Sequence, residues 1–113
     1  MAITITSWGF KYGAPVANYI FDVSYLKNPW REPELKNAAM NRIVQYMEEQ
    51  PAFYEIVGSI AHFIVTLNRH FPDENIIIAI CCSAGEYRSV AVAEAVAKRI
   101  SVPIKLNHPF KIK

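Results

Sequence analysis

A continuous apolar run, Ile76-Ile77-Ile78-Ala79-Ile80-Cys81, leads directly into Cys82-Ser83-Ala84-Gly85-Glu86-Tyr87-Arg88-Ser89, and a helix-like segment follows from Ser89 to Ile100. A β-branched run without polar alternation predicts a strand covered on both faces, as in parallel sheets. Parallel strands need crossover connections, so the run commits the chain to a layered α/β domain. A short loop between such a strand and a helix turns successive N–H groups toward one point, and the helix dipole adds to them. Cys82 and Arg88 stand at the two ends of that loop, and a guanidinium grips an oxyanion bidentately. The segment reads as a cradle for phosphate or a similar anion.

The rest of the chain fits one such domain. At 113 residues it holds one hydrophobic core. A first strand is predicted over 2–8, where Met1-Ala2-Ile3-Thr4-Ile5-Thr6 alternates and carries no basic leader. Gly9 to Pro15 is a loop, Tyr19 to Tyr25 a second β-rich run, and Lys27 to Pro33 a loop held extended by two prolines. Leu35, Ala39, Ile43 and Met47 recur every four residues and predict a helix over 34–49, which Pro51 closes. A second helix is predicted over 52–70, a strand over 75–81, a third helix over 89–100 and a last strand over 102–106. The order ββααβαβ implies a small layered domain with a mostly parallel four-stranded sheet and three helices. Ligands in such sheets bind beyond the carboxyl ends of the strands. The loops at 9–15, 27–33 and 83–88 each follow a strand and are expected to share that edge.

Composition narrows the function classes. No apolar run approaches the roughly 18 residues of a membrane span. The two cysteines, Cys81 and Cys82, are adjacent, and strand neighbours point to opposite faces. Both are expected as reduced thiols, which favours the cytoplasm. No histidine, cysteine and carboxylate cluster has metal spacing, so neither a metal nor a cofactor is expected. Net charge is only +2, but beyond Glu94 the chain carries Lys98, Arg99, Lys105, Lys111 and Lys113 with no acid. That stretch is either a solvated tail or an accessory surface for RNA backbone.

Taken alone, the loop is similar to the signature of protein tyrosine and dual-specificity phosphatases, Cys-x5-Arg followed by Ser or Thr. In that reading Cys82 is a nucleophilic thiolate and Arg88 clamps the transition state. A general acid is also required. The region upstream is helical, with no aspartate between Asp22 and Asp73.

A wider resemblance spans about residues 5–109. Trp8-Gly9-Phe10-Lys11-Tyr12-Gly13-x-Pro15, Phe21-Asp22-Val23-x-x-Leu26-x-Asn28-Pro29, Pro33-Glu34-Leu35, Cys82-x-x-Gly85-x-x-Arg88-Ser89-Val90 and Ala93-Glu94 occur in order. Together they resemble the C-terminal domain of the RapZ (YvcJ-type) family of RNase adapter proteins. No Gly-x4-Gly-Lys-Ser/Thr motif occurs, so the resemblance is to that domain alone, with residues 1–113 as one unit. It implies a module that binds a phosphorylated amino sugar or nucleotide-like phosphate, and that contributes to RNA binding and self-association. The family loop usually runs Cys-Thr-Gly-Gly-Lys/Gln-His-Arg-Ser. Here Ser83, Ala84, Glu86 and Tyr87 depart from it.

The candidate ligand residues are therefore Cys82, Ser83, Ala84, Gly85, Glu86, Tyr87, Arg88 and Ser89, with Lys11, Asp22 and His108. Each has a structural alternative. Arg88 pairs with Glu86 or Glu94 if it holds no ligand, Cys82 is a packed thiol if it is no nucleophile, and Ser89 caps the helix. Asp22 binds a ligand hydroxyl or amine, or pairs with Lys11 or Arg88. His108 lines the site from the end of the last strand or lies on the surface. The expected function is a regulatory module that binds a sugar phosphate or nucleotide and signals through protein or RNA contacts. The alternative is a small cysteine-dependent phosphatase.

Overall fold

The structure is a computed structural model that describes residues 2–111; Met1 and Lys113, which flank the expected first strand and basic tail, lie outside the described residues. The elements are β1 (Ala2–Gly9), β2 (Tyr19–Asp22), α1 (Met40–Glu48), α2 (Phe53–His70), β3 (Asn75–Cys82), α3 (Arg88–Arg99) and β4 (Ile104–Asn107). Their order is the ββααβαβ expected. The sheet runs β2-β3-β1-β4 and every pairing is parallel. All four strands therefore point their carboxyl ends to one edge.

Register explains the core. Ile3 and Ile5 of β1 lie beside Ile76 and Ile78 of β3. On the same face Tyr19 and Phe21 of β2 meet Phe63 of α2 edge-on. Against this face α1, α2 and α3 bury Met47, Phe53, Val57, Ile64, Val92 and Val96. Each such side chain contributes about 1.5–3 kcal/mol relative to leaving it in water. On the opposite face Ala79 and Cys81 are also fully buried, while Ile77 is not. Trp8 lies beside Cys81 on that face and donates from Nε1 to the carbonyl of Gly13 at 2.9 Å. The β1–β2 connection is thereby tied to this side of the sheet.

Two expected elements are shorter than the sequence pattern implies. The β-rich run at 19–25 stops at Asp22, whose Oδ1 accepts the Ser24 N–H at 2.9 Å. This side-chain turn takes the backbone out of the ladder, and the Leu26 N–H closes a second turn on the Val23 carbonyl. The helix predicted from residue 34 starts as α-helix only at Met40. Pro33 opens a single 3-10 turn that drops Leu35 into the core, and Ala39 is extended (ψ 154°), so the two helical pieces cannot join.

The end of β1 and the loop after β3 touch backbone to backbone. A Cβ on Gly9 would lie 2.4 Å from the Ala84 carbonyl carbon, and one on Gly85 would lie 2.7 Å from the Gly9 nitrogen. Gly85 also has φ +71°, which favours glycine. The Lys11 N–H donates to the Ser83 carbonyl at 2.9 Å and closes the contact.

This contact makes Gly9 irreplaceable, whereas Gly58 in the middle of α2 faces only the flexible end of Arg99, 3.4 Å away. We expect Gly9→Ala to lose about 1–3 kcal/mol by overpacking. Gly58→Ala should gain about 0.5–1 kcal/mol from helix propensity. Urea unfolding of the two variants measures both.

Candidate functional site

Three loops meet at the carboxyl edge of the sheet. Lys11 comes from the loop after β1, Asn28 and Trp30 from the loop after β2, and Cys82, Ala84, Glu86, Tyr87 and Arg88 from the β3–α3 segment. Together they line a cavity of about 460 Å³. The second loop is held in place twice. Gln50 clamps the Lys27 backbone, accepting its N–H at 2.7 Å and donating to its carbonyl at 3.1 Å. The Asn28 side chain caps the turn Pro29–Arg31 by accepting the Trp30 N–H at 3.1 Å.

Arg88 is the first residue of α3 and is 8% exposed. Its Nη1 donates to the carbonyls of Ser24 (2.5 Å) and Leu26 (3.3 Å), and Nη2 donates to Ser83 Oγ at 3.4 Å. Among the described residues no carboxylate pairs with it. Glu94, one of its expected partners, instead holds His108 Nε2 at 3.0 Å. A buried guanidinium is therefore surrounded by neutral acceptors, and its Nε–H and second Nη2 hydrogen have no protein partner among them. Nearby, no backbone hydrogen bond among the described residues engages the N–H groups of Ala84, Gly85, Glu86 or Tyr87. The helix start has no side-chain cap, and its first bonded N–H is that of Ala91. A run of unengaged backbone donors and a buried cation thus lie within one short segment at this edge, which makes its local potential positive.

The expected ligand residues divide into three groups. Lys11, Cys82, Ala84, Glu86, Tyr87 and Arg88 line the cavity, and Ser83 contacts Arg88 from a neighbouring one. Gly85 and Ser89 shape the loop from within: Gly85 is pressed on β1, and Ser89 is fully buried and accepts from Cys82 Sγ at 3.2 Å. Asp22 and His108 lie elsewhere. Asp22 is in register with Cys81, on the sheet face opposite the helices, and its carboxylate is occupied with Ser24. His108 bridges the buried Ser7 (Oγ to Nδ1, 2.6 Å) and Glu94, so it ties β1 to α3. Three residues that the sequence reading did not count among the ligand residues also lie here: Asn28 in the cavity, and Ser24 and Leu26 through their carbonyls, Leu26 and Asn28 having entered only as part of the family pattern. Backbone acceptors leave no signal in residue type; the Asn28-Pro29 pair, a capping residue before a helix-opening proline, did carry one.

The basic residues near the C-terminus are not one patch. Lys98, Arg99 and Lys111 line an apolar groove between the helices, where Glu48, Glu86 and Glu94 stand among them. Lys105 lies in β4 beside Thr4, on the sheet face opposite the helices. No helix among the described residues is long and apolar enough to cross a membrane.

Residues 1–109 match the family described as the RapZ C-terminal domain, and the chain belongs to that family. Proteins named as nucleotide-binding align with it over most of its length. One from Paraburkholderia phytofirmans is 33% identical over 107 residues, covering 89% of this chain and 36% of the relative. One from Shewanella sp. strain ANA-3 is 36% identical over 107 residues, covering 89% and 38%. One from Shewanella violacea is 38% identical over 104 residues, covering 87% and 37%. The chain thus spans little more than a third of these relatives' length.

The two thiols differ in environment. Burial, then the Asp22 carboxylate and then Cys82, push the Cys81 thiol up from 9.0 to about 11. Because the folded-state value is raised, its contribution to stability is complete below about pH 9 and is lost as pH rises through 11. We expect native protein at pH 8 to resist iodoacetamide at Cys81 and to react there once unfolded in urea, read by mass spectrometry. Cys81→Ala should flatten the decline of stability between pH 9 and 11.

Proposed function

We propose that this RapZ C-terminal-type domain binds a phosphorylated small molecule, a nucleotide or a sugar phosphate, in the 83–89 loop, and passes the bound state to a protein or RNA partner. One observation carries the reading: a buried arginine with free donors and no carboxylate partner, set beside unengaged N–H groups at the start of α3. A phosphate completes both. Its oxygens accept from the loop amides and from the free edge of Arg88, and Lys11 adds charge from the opposite loop. Trp30, half-exposed at the rim, offers a flat surface to a base or sugar ring. The names of the relatives are in keeping with a nucleotide ligand, although they describe much longer proteins.

A second reading, phosphate-ester hydrolysis, rests on Cys82, which lines the same cavity with the Ser89 hydroxyl 3.2 Å from its sulfur. The carboxylate in that cavity is Glu86, and Asp22 is on the far face of the sheet. Turnover of p-nitrophenyl phosphate between pH 5 and 8 that disappears in Cys82→Ser supports hydrolysis; absence of turnover sinks it.

We expect nucleotides or sugar phosphates to raise the melting temperature of the wild type. A ligand at about 100 times its Kd stabilises by about 2.7 kcal/mol. Arg88→Ala should abolish the shift and Lys11→Ala should reduce it. Equal shifts in wild type and Arg88→Ala overturn the proposal.

A further inference from the structure

The cavity that Arg88 closes on one side has a neighbour on its other side. That second cavity, about 370 Å³, is lined by Ser24, Lys27, Asn28, Arg31, Glu32 and Ser83 together with Arg88. Arg88 and Asn28 belong to both walls. The two lobes differ in charge. The first sets Lys11 and Arg88 against Glu86, and the second sets Lys27, Arg31 and Arg88 against Glu32. Glu32 is turned to another task, accepting the Tyr46 hydroxyl at 3.0 Å. The lobe farther from the loop amides is therefore the more positive one.

A single phosphoryl group on the loop amides leaves the neighbouring lobe open, with Lys27 and Arg31 facing it and no anion between them. We infer that the site takes a diphosphate, with one phosphoryl group on the loop amides and the second, more highly charged one across Arg88 against Lys27 and Arg31. This rests on the reading that the loop binds phosphate, and adds the ligand class. Three features support it. Arg88 borders both lobes, and the two donors that the protein leaves free, Nε–H and one Nη2 hydrogen, suffice for one oxygen from each of two adjacent phosphoryl groups. The Lys27 backbone is fixed in both directions by Gln50, so the loop that carries the second lobe's cations is held in position. The charge excess rises in the direction in which a terminal phosphoryl group carries more charge than a bridging one.

The test compares orthophosphate, pyrophosphate and ADP by calorimetry on wild type, Arg88→Ala and the double variant Lys27→Ala/Arg31→Ala. Lys27 and Arg31 are exposed, and the melting temperature of each unliganded variant checks its fold. We expect pyrophosphate to bind wild type at least about tenfold more tightly than orthophosphate, and the double variant to lose that advantage while keeping orthophosphate affinity within about twofold. ADP binding more tightly than pyrophosphate assigns the diphosphate to a nucleotide; the reverse order assigns it to a ligand with a smaller remaining group. Equal affinity of wild type for orthophosphate and pyrophosphate overturns the inference, as does equal weakening of both in the double variant. Retention of all binding in Arg88→Ala contradicts instead the underlying proposal that the loop is the phosphate site.

Discussion

Gly9 and Gly85 stand backbone to backbone, and the shape of the whole carboxyl edge follows from that contact. β1 and β3 are the central pair of the sheet, so their ends are the least free to move. With no Cβ on either residue, the loop after β3 folds down on the end of β1, where the Lys11 N–H takes the Ser83 carbonyl. The path left for residues 84–87 leads straight into α3 and puts Arg88 in its first turn. Among the described residues the amides of that path have no backbone partner, because the strand has ended and the helix has not yet closed its first bond. A side chain on either glycine would push the loop off the strand and rotate those amides away from one another.

The second constraint is the charge of Arg88. Burying an ion without a counter-ion costs several kcal/mol. Carbonyls of Ser24 and Leu26 and the Ser83 hydroxyl offset part of this, because hydrogen bonds to a charged group contribute about 1.5–3 kcal/mol each. They also fix the side chain to the β2 loop, so one guanidinium ties that loop to the β3–α3 segment. What they do not supply is negative charge. The guanidinium is thus held by protein groups alone, and on the proposed reading that lowers the ordering cost of binding.

The strand-loop-helix was legible because its signals are local: an unbroken β-branched run, a glycine, and an apolar helical stripe. The four-stranded parallel sheet was legible for the same reason. Element ends were less so. Asp22 reads as a residue of a β-run, yet its carboxylate caps a turn, and the four-residue repeat through Leu35 and Ile43 conceals an extended Ala39 between a 3-10 turn and a helix. The placement of Asp22 on the opposite face follows from strand alternation once the register is known, but a single sequence does not state the register. The Ser7–His108–Glu94 chain and the packing of Phe110 on Trp8 and Tyr12 join residues up to about a hundred positions apart, and residue type alone does not pair them. The second lobe escaped for another reason: Lys27 and Arg31 belong to no motif, and only the fold brings them beside Arg88.

The central claim is that the unengaged amides from Ala84 to the start of α3, with Arg88, form an anion site. The most direct measurement is a phosphate titration followed by amide nuclear magnetic resonance on isotope-labelled protein. The account predicts saturable shifts that are largest at the N–H groups of residues 84–90 and at the Arg88 Nε–H. Shifts concentrated on the apolar groove between the helices, or shifts at the loop that never saturate, would contradict it.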